Sequence, residues 1–218
     1  MVASIKQNKQ KNKGLFITIE GIEGVGKSTA IGFLQAYLQE KGKSFLVTRE
    51  PGGTEIAEAI RKLLLAHYNE TMTQEAELLL MFASRAQHIA QVIKPALKDN
   101  KLILCDRFTD ASFAYQGAGR GMPEAFIAAL EKWVQGDLKP NLTILLDAPA
   151  KLGAQRAKHR GVSADRIELE QIQFFERARG CYLVRAKAEP DRFQVIDATQ
   201  SLVQVKTKLT EIIDSLLQ

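Results

Sequence analysis

Short apolar runs alternate along this chain with longer segments in which apolar residues recur every three or four positions. The runs fall at 15–20, 44–48, 101–105, 142–147 and 193–196 and predict strands. The helical periodicity falls near 27–41, 54–66, 74–93, 123–135, 149–159, 168–188 and 201–217. Near-continuous apolar strands are buried on both faces, and connections long enough to hold a helix return the chain parallel to itself. The pattern therefore predicts an α/β domain over 14–218, with a five-stranded parallel sheet flanked by helices. Ligands of such sheets gather beyond the carboxyl ends of the strands. Polar residues follow the runs there: Glu20, then Thr48-Arg49-Glu50, then Asp106-Arg107, then Asp147.

The net charge of +5 changes this picture little. Lys6, Lys9, Lys11 and Lys13 all lie in the first thirteen residues, which contain no acid, so the rest of the chain is nearly neutral. Residues 1–13 read as a disordered basic tail, too polar to bury a core. A near-neutral body argues against a nucleic-acid partner. No apolar run is long enough to span a bilayer, and the start of the chain lacks the apolar stretch of a secretory signal. Only Cys105 and Cys181 occur, without metal-ligand spacing, which suits reduced thiols and a cytoplasmic location.

The sharpest chemical signal lies between the first strand and the first helix. Gly21-Ile22-Glu23-Gly24-Val25-Gly26-Lys27-Ser28-Thr29 carries two glycines five apart and then Lys-Ser. In that setting backbone N–H groups curl around a polyphosphate, Lys27 reaches its terminal phosphates and the Ser28 hydroxyl is free to ligate Mg²⁺. The loop predicts a nucleoside triphosphate, ATP being the expected donor. No Asn-Lys-x-Asp motif for guanine is present.

Arginines at strand ends and on one helix face suit a second anionic substrate. Arg85 follows Leu78, Met81 and Phe82 on a predicted helix, where it either pairs with a carboxylate or grips a phosphate beside a base-sized pocket. Asp106 either holds Mg²⁺ through water, steadies the acceptor, or caps the segment from Phe108. The charged stretch 158–166 reads either as a mobile lid or as a solvated helix junction.

Taken together, GIEGVGKST at 21–29, TREPGGT at 48–54, RAQH at 85–88, DRFTD at 106–110, AYQGAGR at 114–120 and DRIE at 165–168 resemble the bacterial thymidylate kinases, from about Gly14 to the C-terminus. That resemblance implies a three-layer phosphate-loop kinase fold, ATP with Mg²⁺ as donor, dTMP as acceptor and a homodimer. By matched position it assigns Arg61, Arg85 and Arg107 to the dTMP phosphate and Ser112 and Gln116 to the thymine edge. Glu23 falls near the sugar and phosphate, Tyr115 against the sugar, and Pro51 after a cis peptide that aims Arg49 and Glu50 into the site. The family's usual aromatic residue four positions before Arg85 is here Met81, with Phe82 adjacent. The loop itself has no basic residue between Gly21 and Gly26, whereas Arg156, Arg160 and Arg166 fall in or beside the expected lid at about 156–167. The chain thus resembles the members whose catalytic cation comes from the lid. Two rivals remain: another deoxynucleotide or nucleoside kinase of the same fold, and an ATP-switched nucleic-acid-binding protein.

Overall fold

The computed structural model describes residues 14–158 and 165–217. The expected tail at 1–13 and the lid residue Arg160 lie outside the described residues. Five strands, β1 (Leu15–Glu20), β2 (Phe45–Arg49), β3 (Leu102–Asp106), β4 (Leu142–Asp147) and β5 (Phe193–Asp197), form one parallel sheet in the order β2-β3-β1-β4-β5. The chain runs first to one side of β1 and then to the other. The switch therefore lies at β1, whose carboxyl end opens into the phosphate loop.

Strand alternation sends successive side chains to opposite faces. Ile17, Ile19 and Leu104 enter a core with α1 (Lys27–Glu40), α8 (Ile172–Ala188) and α9 (Leu202–Leu217). Phe16, Ile103 and Cys105 meet Ile89, Ile93 and Phe108 on the other side. Inside this apolar sheet the Thr18 and Thr143 hydroxyls pair with each other at 2.9 Å, so neither is left unsatisfied.

The remaining helices are α2 (Glu55–Leu65), α3 (Gln74–His88), α4 (Lys94–Lys98), α5 (Thr109–Ser112), α6 (Glu124–Gln135) and α7 (Ala150–Lys158). Thr54 and Thr73 cap α2 and α3, accepting from the Ala57 and Ala76 N–H groups. The single helix expected over 74–93 is instead α3, a π-helical turn at Ile89–Ile93 and then α4, with Pro95 in its first turn. A second π-helical stretch, Phe113–Gly119, continues α5. The glycines of this segment make it read as a turn in sequence, and it was not expected as a helix. The strand expected at 101–105 includes Asp106, and the one at 44–48 includes Arg49. The helix expected from 168 begins at Ile172, after a turn in which the Asp165 carboxylate accepts from the Ile167 and Glu168 N–H groups.

Candidate active site

The phosphate loop joins β1 to α1. Gly21, Gly24 and Gly26 all take positive φ, which side chains resist. Gly26 is the N-cap of α1 and supplies no side-chain cap, so the first N–H groups of the helix stay available to an anion. Lys27 Nζ folds back onto the Gly21 and Ile22 carbonyls, at 3.0 and 2.9 Å. Burial lowers its pKa from the usual value to about 8, helped by Arg107 and opposed by Asp106, Glu23 and Glu20. The loop rests against α7: a Cβ on Gly24 would overlap the Gly153 carbonyl, and one on Gly153 would overlap the Glu23 carbonyl.

The loop forms one wall of a cavity of about 570 Å³. Glu23, Gly24, Val25, Gly26, Lys27, Ser28 and Thr29 line it, and Arg61, Asp106, Arg107 and Arg156 join them. Gly21 and Ile22 are buried beneath the loop. Arginines from three elements, Arg61 on α2, Arg107 after β3 and Arg156 on α7, thus share the cavity with the loop lysine. Arg61 donates to the Pro51 carbonyl at 2.9 Å, after a cis Glu50–Pro51 peptide. Arg107 sits at φ 69°, a conformation rare for a side chain other than glycine. It is held there by Glu23 Oε1 at 2.7 Å and lies 4.6 Å above the Tyr115 ring, whose hydroxyl donates to Glu23 Oε2 at 2.6 Å.

Asp106 ends β3. Its Oδ1 is buried and without a hydrogen-bond partner, and it shares the cavity wall with Ser28. An unpaired carboxylate oxygen and a hydroxyl that share one cavity wall fit a hard divalent cation. The proposed cap for the segment after Phe108 is not what Asp106 provides. The Phe108 N–H is taken by Glu20 Oε1, while the Tyr182 hydroxyl donates to Glu20 Oε2. Burial, with Asp110 nearby, raises the Glu20 carboxyl to about 8.

Arg85 does not join Arg61 and Arg107. It is 1% exposed and donates to Glu50 Oε2 at 2.7 Å, to Ser112 Oγ at 3.1 Å and to the Phe108 carbonyl. Its guanidinium lies 4.5 Å from the Phe82 ring centre. Of the two readings of Arg85, the carboxylate pair is the one present, and it stands beside a residue assigned to the base edge rather than the phosphate. Met81 and Phe82 are both buried on α3. Arg49 faces outward, its Nη2 donating to both Glu58 oxygens, and Glu50 turns inward to Arg85 and His88. The two residues expected to enter the site together therefore point to different surroundings.

The lid arginines also separate. Arg156 belongs to α7, not to a loop, and donates to the Ala198 carbonyl at 2.8 Å from the cavity wall. Arg166 lies off the wall, on the Leu64 carbonyl at 3.0 Å and Glu77 Oε2 at 2.6 Å. A role for it at the phosphates requires it to leave Glu77.

Sequence reasoning missed another part of the cavity wall, lined by Phe33 of α1 and by Gln200, Val205 and Lys206 of the β5–α9 region. Lys206 Nζ stands 5.3 Å over the Phe33 ring. No contiguous motif marks this wall, because helices nearly the whole chain apart build it. It missed Glu77 for the same reason.

A parallel sheet with a phosphate loop at its switch point, and arginines from other elements lining the same cavity, defines a phosphate-loop α/β protein built for phosphorylated ligands. The thymidylate kinase family model matches residues 19–209, and the chain belongs to that family. It is 54% identical over 205 residues to the thymidylate kinase of Pseudomonas syringae pv. tomato, covering 94% of this chain and 97% of that protein. The thymidylate kinase of Alcanivorax borkumensis is 52% identical over 203 residues, covering 93% and 97%. Among solved structures, the thymidylate kinase of Ehrlichia chaffeensis superposes with a TM-score of 0.74 at 32% identity, covering 94% of this chain and all of that one.

Proposed function

We infer that this protein is a dTMP kinase, an enzyme that transfers the γ-phosphoryl group of ATP to dTMP and yields ADP and dTDP on the route to dTTP. One observation carries the reading beyond family membership: Arg61 and Arg107 line the same cavity as the phosphate loop. A nucleoside acceptor, which has no phosphate, gives such a pair nothing to hold.

The loop N–H groups and Lys27 hold the ATP phosphates, while Arg61 and Arg107 hold the acceptor phosphate in line with the γ-phosphorus. An acceptor oxygen bonds to that phosphorus as its bond to the bridging oxygen of ADP breaks. The acceptor phosphate is already anionic, so no general base is assigned. Glu23 steadies Arg107 and Tyr115, and Tyr115 closes the sugar side. Ser28 and Asp106 would hold Mg²⁺, which when bound offsets charge on the transferred group. Among the described residues no group of three or more His, Cys, Asp or Glu gathers, so phosphate and water would complete its coordination. Phe33, Val205 and Lys206 suit the adenine end. The reading also assigns a catalytic cation from among Arg156, Arg160 and Arg166, which would meet the charge developing on the transferred group. Among the described residues no helix is long and apolar enough to cross a membrane, and a cytoplasmic homodimer is the form we propose.

The test is ADP release across dTMP, dUMP, dCMP and thymidine. We expect kcat/KM for dTMP to exceed that for dCMP and thymidine by at least a hundredfold. Equal turnover of thymidine would overturn the reading, as would salt-dependent DNA binding that stimulates ATP hydrolysis.

A further inference from the structure

Glu77 lies in the first turn of α3 and is 2% exposed. Three side chains from distant parts of the chain converge on it. Gln116 Nε2 donates to Oε1 at 2.9 Å, Arg120 donates to Oε1 and Oε2 at 3.3 and 3.2 Å, and Arg166 donates to Oε2 at 2.6 Å. Arg120 also pairs with Glu170. The other end of the Gln116 amide is different: Oε1 is buried and has no partner. Buried acceptors are rarely left unpaired, so this oxygen is open to a donor brought by water or by a ligand.

These two observations bear on each other. An amide can present either its oxygen or its NH₂, and rotation by half a turn exchanges them. An ionised carboxylate only accepts, so Glu77 takes the NH₂ and leaves the oxygen for whatever comes next. Burial opposes ionisation, but Gln116, Arg120 and Arg166 together hold the Glu77 carboxyl below its ordinary range. We propose that Glu77 is a positioning residue that sets base selectivity: by fixing the Gln116 amide it makes position 116 an obligate acceptor, which takes the N3–H of thymine and rejects a base whose N3 is itself an acceptor. The proposal rests on the dTMP reading above. Thymine has one donor on that edge, N3–H, between two carbonyl oxygens, whereas cytosine carries a lone pair at N3. A freely rotating glutamine would serve both.

The experiment compares kcat/KM for dTMP and dCMP in the parent enzyme, in Glu77→Gln and in the exchange Glu77→Gln with Gln116→Glu. In the single variant Arg120 and Arg166 keep the oxygen of residue 77, so its NH₂ faces Gln116 and turns that amide to present its own NH₂ to the base. The dTMP preference should fall at least tenfold, mainly through KM for dTMP, with KM for ATP unchanged. The exchange keeps the charge and restores an acceptor-only side chain at 116, and should recover most of the preference. A folded single variant with the parental preference overturns the proposal. So does an equal loss on both substrates, or an exchange variant that recovers nothing, because each makes Glu77 merely structural. Failure of both variants to fold overturns it as well. A parent enzyme without a dTMP preference would instead remove the functional reading beneath it.

Discussion

Lys27 stands under opposing demands, because the partly buried site that strengthens its grip on phosphate also penalises its charge. Its pKa of about 8 lies below the ordinary lysine value, so above pH 8 the free enzyme loses this proton. A bound polyphosphate favours the charged form, so ATP binding between about pH 8 and 10.5 should take up a proton. Calorimetry at pH 8.5 in two buffers of different ionisation enthalpy should show that uptake, and ATP affinity should weaken as pH rises through this range. Lys27→Ala should fold, lose the uptake and lose nearly all phosphoryl transfer. Persistent uptake in that variant would place the titrating group elsewhere. This residue was legible in sequence because everything it needs is contiguous: strand, glycines, lysine and helix follow one another without a gap. Arg85 was legible only as a choice, since its carboxylate partner lies 35 residues away on another element.

At the scale of elements, the phosphate loop owes its shape to a neighbour as much as to its own glycines. Gly153 on α7 lets the helix backbone approach Glu23 so closely that a single methyl group has no room. Gly153→Ala should therefore push the loop or the helix aside, costing about 1–3 kcal/mol of stability. KM for ATP should rise several-fold, and thermal unfolding should come a few degrees earlier. An unchanged KM with a lowered melting temperature would show that α7 yields while the loop holds. The periodicity of α7 was readable, but this contact was not, for a glycine in a helical pattern gives no hint of what packs against it. The π-helical turns at Ile89–Ile93 and Phe113–Gly119 escaped for a related reason. An extra residue per turn shifts the apolar stripe, and in the second stretch Gly117, Ala118 and Gly119 cut it short.

The molecule as a whole leaves apolar side chains uncovered on one pair of packed helices. Phe126 and Trp133 lie seven residues apart on one face of α6, and Trp133 is 82% exposed. Leu79 is exposed on α3, which packs against α6. Exposed rings of this size two turns apart on one helix face suit an interface better than water, and the family resemblance suggests a second copy of the chain as the occupant. The same α3 turns Glu77, Met81, Phe82 and Arg85 inward, so an interface there would brace the helix to which the proposed function assigns the base. We therefore expect the double change Phe126→Lys with Trp133→Lys to convert a dimer into a monomer in sedimentation equilibrium. The monomer should need more dTMP for half-maximal rate, while its requirement for ATP, met from α1, α7 and α9, should change little. A parent chain that sediments as a monomer would remove the dimer. A monomeric variant with unaltered dTMP kinetics would keep the dimer and break its link to the site.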